Sequence, residues 1–211
     1  MVRFRLVMFD FDGTLADTMP WVLGVSDRLA DEFKFRHVDR SQINDLRSHD
    51  ARTLLKLHQI PLWKVPLIAH RFRELMAAEI SQITPFPGIP DLLRRLANQG
   101  RRLAIVTSNS TENVRSVLGP EIGGLIQHYE GGASIFGKRG KLKRVVRRSG
   151  VRPEQAIFIG DEIRDAQAAR HAGLAFGGVC WGYTHPEALR IHAPALMFET
   201  IEDMASKLGL L

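Results

Sequence analysis

Four short apolar runs punctuate the chain, at residues 4–9, 102–106, 156–159 and 175–180, and each has the length and β-prone composition of a buried strand. Between them lie stretches whose apolar positions recur at helical spacing: 89–99, closed by Gly100; 141–149, closed by Gly150; and 165–171, stopped by Gly173. Strands alternating with helices predict βαβ units, hence an α/β fold with a mainly parallel sheet and helices on both faces. Residues 16–82 break the alternation, because 21–33, 40–57 and 67–80 read as successive helices with no strand between them. The breaker-rich stretch 84–90 then returns the chain to the sheet. The expected organisation is a core built from 1–15 and 83–211 and an inserted, all-helical cap at 16–82.

In open parallel sheets ligands bind beyond the carboxyl ends of the strands. Asp10, Asp12, Thr107, Asn109 and Asp161 all fall at such ends. Asp10 and Asp12 stand two apart on an extended segment, so their side chains project in similar directions and can share one site. Two carboxylates held together repel unless a cation lies between them. Mg2+, a hard ion that prefers carboxylate and phosphate oxygens, suits them, and Asp161 on another strand end would complete the protein ligands. An isolated Asp-x-Asp is ordinarily a solvated loop; the apolar strand before this one and Gly13-Thr14 after it change that reading. Thr107-Ser108-Asn109 reads by itself as a helix N-cap, which is compatible with anion binding at the same place.

Composition narrows the partners. With 45% hydrophobic and 25% charged residues the 211-residue chain can bury a sizeable core. The net charge of +6 raises the question of nucleic acid, but much of the excess lies in 138–152. There Leu142, Val145 and Val146 share one helical face, while Lys143, Arg144, Arg147 and Arg148 take the others. That is a solvated amphipathic helix, and a positive field of this size attracts small anions. The single cysteine, Cys180, excludes an intramolecular disulfide and reads as a core residue. No apolar run approaches the roughly 18 residues of a membrane span, and 2–9 is too short and too interrupted by Arg3 and Arg5 for a signal peptide, so a cytoplasmic protein without membrane or nucleic-acid partners is expected.

Taken in order, Asp10-Phe11-Asp12-Gly13-Thr14-Leu15, the apolar strand ending in Thr107, and Gly160-Asp161-Glu162-Ile163-Arg164-Asp165 resemble the motifs of the haloacid dehalogenase superfamily, in particular its capped phosphatases of the phosphoglycolate phosphatase kind. Pro87-Gly88 before a helix, and Trp181-Gly182-Tyr183 followed by Pro186-Glu187-Ala188-Leu189, resemble the same subgroup, and the likeness covers nearly the whole chain. It implies a Rossmann-like core with a helical cap and Mg2+-dependent hydrolysis of a small phosphorylated metabolite, phosphoglycolate being the named candidate. Asp10 would be the nucleophile that forms an aspartyl phosphate, and Asp12 the general acid and base. The metal would be held by the Asp10 carboxylate, the main-chain carbonyl of Asp12 and Asp161, with Asp165 a ligand through water or a support. Thr107 would donate to a phosphoryl oxygen, helped by the Ser108 amide and the Asn109 side chain.

The superfamily's charge-offsetting lysine departs here from its commonest form, since no Lys-Pro pair is present. Lys138, directly after the apolar stretch 134–137, is favoured over Lys141. In the cap, Arg47, His49, Arg52 and Lys56 share an expected helix and are candidates to read the leaving group, Arg52 first. Trp21 is expected to be buried in the helical bundle, and His185 and His192 to lie in loops. The second aspartate disfavours a true dehalogenase. A phosphomutase or pyrophosphatase of the same superfamily, or a non-catalytic module acting through its basic surface, are the alternative readings.

Overall fold

The computed structural model describes residues 4–49, 51–132 and 137–210. Its six strands, β1 (Leu6–Phe9), β2 (Arg102–Val106), β3 (His128–Glu130), β4 (Ala156–Gly160), β5 (Ala175–Val179) and β6 (Leu196–Phe198), form one sheet in the order β3-β2-β1-β4-β5-β6. Every pairing is parallel; Val7 lies between Leu103 and Ile157, and Phe9 between Ile105 and Ile159. Because the side-chain period of a strand is two, β1 sends Val7 and Phe9 into one core cluster and Leu6 and Met8 into another. The first face is covered by α5 (Ile89–Asn98), α6 (Thr111–Gly124, broken at Gly119) and α10 (Ile201–Lys207), the second by α7 (Lys138–Ser149), α8 (Ile163–Ala172) and α9 (Pro186–Arg190). Burial on both faces is why the central strands are apolar without alternation.

Between β1 and β2 the chain makes a helical insert: α1 (Met19–Phe33), α2 (Ile43–Leu46), α3 (Ala51–Leu57) and α4 (Val65–Ala78), with 3-10 turns between. Its outgoing and returning connections lie side by side, Asp17 donating to the Thr84 carbonyl and Phe86 to that of Leu15, both at 3.0 Å. Trp21 is buried, as expected, edge-on to Phe72 at 5.0 Å between centroids. The single helix expected over 40–57 is instead interrupted after α2. Arg47 explains the break: its carbonyl accepts from the His185 amide at 2.8 Å, and its guanidinium donates to the carbonyls of Gly182 and Tyr183. A tertiary clasp to the core loop has taken the carbonyl that a continuing helix would have used.

Other expectations shift in ways that matter. α7 begins at Lys138 rather than at 141, and both Lys138, the favoured site lysine, and Lys141 are buried. On the outer face of that helix Arg144 and Arg148 share Glu130, each reaching it at 2.9 Å. Cys180 is only partly buried, not a core residue; partial desolvation and the hydrogen-bonded Glu199 push its thiol up to about 11. The short β3 and β6, and helices α6, α9 and α10, carry too little periodicity to be read in advance. Of the stretch 134–137 before Lys138, residues 134–136 lie outside the described residues. No helix among the described residues is long and apolar enough to cross a membrane.

Candidate active site

The carboxyl ends of β1, β2 and β4 meet at one edge of the sheet, and the acidic residues converge there. Asp10 follows β1 directly and is anchored by its amide to the Ile159 carbonyl at 2.8 Å. Asp161 follows β4, and Asp165 stands in the first turn of α8, where its carboxylate accepts the Glu162 amide at 3.2 Å as half of a capping box. All three are buried, and one carboxylate oxygen from each lies within 4.8 Å of the others. Lys138 is buried among them, its Nζ donating to Asp10 Oδ2 at 2.5 Å and to Asp165 Oδ1 at 2.6 Å. Burial alone would depress its pKa, but the charges of Asp10 and Asp165 outweigh that and hold the amine above its ordinary value. Lys141, one turn further on, points elsewhere: it donates to the carbonyls of Thr107 and Gly132, both at 2.8 Å.

One cation among three buried carboxylates leaves excess negative charge. Desolvation first, then the neighbouring acidic groups, raise Asp161 well above the carboxylate range. Asp10 Oδ1 is buried with no hydrogen-bond partner, a rare and costly state that a further ligand would relieve. An all-oxygen donor set around an unpartnered carboxylate oxygen fits a hard divalent cation.

Asp161 is held by Thr14, whose hydroxyl donates to Oδ1 at 2.6 Å, and by the Tyr183 amide, which donates to Oδ2 at 2.8 Å. The sequence had shown Thr14 and Tyr183 only as parts of motifs, without a role. Gly182 and Gly13 crowd the same carboxylate: a Cβ on Gly182 would fall 2.1 Å from the Asp161 Cβ, and one on Gly13 2.5 Å from Oδ2. Gly182 adopts no left-handed backbone, so its need for a hydrogen is steric alone. Gly182→Ala is therefore expected to displace Asp161 and weaken divalent-ion binding about 10-fold or more, the scale of losing a ligand's support. Isothermal titration with Mg2+ checks it; an unchanged affinity would show that the carboxylate is free to move aside.

Asp12 lies beyond this cluster, facing the insert. Its carboxylate accepts from Asn109 Nδ2, 3.1 Å from each oxygen. It keeps some open surface but sits deep among protein atoms, and that burial, followed by the charge of Asp10, pushes it up to about 7. Asn109, expected on a phosphoryl oxygen, has its amide donors turned to Asp12, and its Oδ1 accepts from Ser110 N and Asn113 Nδ2. Thr107 Oγ1 accepts from the Asn109 amide at 3.0 Å, which leaves its own proton free to donate. The N-cap of α6 is Ser110, not Thr107 to Asn109. Ser108 is partly exposed beside Asp12 and, with Asn109, lines a cavity reaching under the insert. Arg52 is exposed on α3 and does not line that cavity.

The family described as haloacid dehalogenase-like hydrolase matches residues 7–179. A phosphoglycolate phosphatase of Synechococcus elongatus is 31% identical over 201 residues, covering 95% of each chain. One from Escherichia coli K12 is 25% identical over 234 residues, covering 98% of this chain and 93% of that one. A haloacid dehalogenase-like family hydrolase from Streptococcus pneumoniae shares the fold, with a TM-score of 0.82 over 99% of this chain and 100% of that one at 22% identity.

Proposed function

The chain belongs to the haloacid dehalogenase-like hydrolase family, and on that premise we propose that it is a Mg2+-dependent phosphatase of small phosphate monoesters that works through a phosphorylated Asp10. The observation that carries this reading is the buried Lys138, bonded at once to Asp10 and Asp165 beside Asp161. So much buried charge is expensive as architecture and useful as a place to receive a phosphoryl group.

Asp10, Asp161 and Asp165 would hold the ion, with the main-chain carbonyl of Asp12 beside them. When bound, Mg2+ supplies positive charge to the oxygens of the transferring group. Asp10 attacks phosphorus with the oxygen that Lys138 leaves open; the new O–P bond forms as the P–O bond to the leaving alcohol breaks. Asp12, whose carboxyl is pushed by burial up to about 7, gives a proton from its protonated form to the departing oxygen. Water then attacks phosphorus as Asp12 takes its proton; the new O–P bond forms as the bond from phosphorus to the Asp10 oxygen breaks, which releases inorganic phosphate and restores the carboxylate. Thr107 donates its free proton to a phosphoryl oxygen, with the Ser108 amide beside it, while Asn109 orients Asp12. Lys141 braces the Thr107 loop from behind. Residues 16–82 act as the cap that excludes bulk water.

Phosphate release from a panel of monoesters that includes phosphoglycolate, with Mg2+ and with chelator, tests the reading. Turnover should need the metal and fall to background on chelation. Folded protein that releases no phosphate with Mg2+, or that is indifferent to chelator, would sink it.

A further inference from the structure

The cavity between the insert and the sheet edge holds about 210 Å³. Its floor is Asp12, Ser108 and Asn109, so it is continuous with the proposed chemistry. Its upper walls are Leu55, Ile60, Val65, Ile68 and Phe72, and the polar group the insert adds is Arg73. On α4, His70 pairs with Glu74, and Arg71 with both Glu32 and Glu74, but Arg73 has no hydrogen bond or ion pair to any described residue. It is partly buried at the cavity wall, where a guanidinium without a counter-charge is unfavourable until a ligand supplies one.

The walls exclude some leaving groups and favour others. A sugar would bury hydroxyls against leucine, isoleucine and phenylalanine, with no amide or hydroxyl side chain on the insert side to receive them. A volume of about 210 Å³ is many times the roughly 10 to 15 Å³ that one water needs on the same measure, room for a leaving group longer than the two-carbon acid of phosphoglycolate. Resting on the phosphatase reading above, we infer that the preferred substrates are phosphate monoesters whose leaving group has an apolar body of several carbons and ends in a carboxylate, and that Arg73 is the specificity-determining residue that pairs with that end.

The test uses the full-length protein with Mg2+ and a series of ω-phosphooxy carboxylic acids lengthened one methylene at a time from phosphoglycolate. Each is paired with its terminal amide, and ribose 5-phosphate serves as the sugar comparison. We expect kcat/KM to climb about 4-fold per methylene until the cavity is full, and acids to exceed amides by about 10- to 100-fold. Arg73→Ala should bring the acid-to-amide ratio close to one, Arg73→Lys should restore part of it, and Arg71→Ala on the outer face should leave it unchanged. A rate that falls with length, a best rate on ribose 5-phosphate, or an acid-to-amide ratio untouched by Arg73→Ala would overturn the inference while leaving the phosphatase standing. Absence of turnover on every member, in folded protein, would overturn both.

Discussion

Asp10→Asn is expected to lower kcat by about 10⁴-fold or more while the protein stays folded. The amide nitrogen's lone pair is delocalised into the carbonyl and is not nucleophilic, and the amide oxygen carries too little charge to attack phosphorus. The fold should survive because Lys138 keeps its bond to Asp165, and removing one of three crowded carboxylates relieves repulsion as well as losing an ion pair. Asp12→Asn gives the informative contrast. That variant retains the nucleophile but has no proton to exchange, so an aryl phosphate, whose leaving group departs without protonation, should still phosphorylate Asp10. The intermediate should then persist long enough for mass spectrometry to find the modified peptide. Full activity in pure Asp10→Asn would refute the nucleophile; normal hydrolysis of the intermediate in Asp12→Asn would refute the base.

Replacing Lys138 with Met should damage both stability and rate, and its rate loss should exceed that of the same change at Lys141, whose stability loss is of similar size. Removing Lys138 leaves Asp10 and Asp165 buried without their cation, a change that costs about 3 to 5 kcal/mol in comparable buried pairs. The carboxyls would recover part of this by taking up protons, which disarms the nucleophile, so kcat should fall by about 10²- to 10³-fold as well. Lys141→Met removes two hydrogen bonds to the carbonyls of Thr107 and Gly132, about 1.5 to 3 kcal/mol each at most, and touches no acidic group of the site. Denaturant unfolding with steady-state kinetics on both variants decides the matter. A larger rate loss in Lys141→Met would move the charge-offsetting role one turn along α7.

Several features that decide the proposed chemistry were hidden from local pattern for identifiable reasons. Lys138 and Lys141 are three apart and share a helix face, so spacing cannot rank them; their separation comes from where α7 lies against the ends of β1 and β2. Arg47 and Arg52 share one expected helix, and packing of its neighbours puts Arg52 first as the residue facing the cleft. Only the contact with the 182–185 loop broke that helix and turned Arg47 to the core, while Arg52 stayed on the outside. Arg73 and Arg71 are likewise neighbours on α4, and nothing local distinguishes the arginine on the cavity wall from the one paired at the surface.

What the sequence determined by itself is what local physics controls. The apolar runs specified the central strands, the glycines closed the helices, and Asp10-Phe11-Asp12-Gly13-Thr14 announced acidic chemistry at a strand end, because backbone periodicity and turn chemistry act within a few residues. What the tertiary structure alone decided is which distant groups meet. The strand order β3-β2-β1-β4-β5-β6 puts residues 10, 107, 138, 161 and 165 at one edge, frees Asp10 Oδ1, and requires a bare Gly182 against Asp161. Burial, ion pairing and close approach are set by parallel pairings between segments far apart in the chain, and no periodicity within one segment encodes its partner.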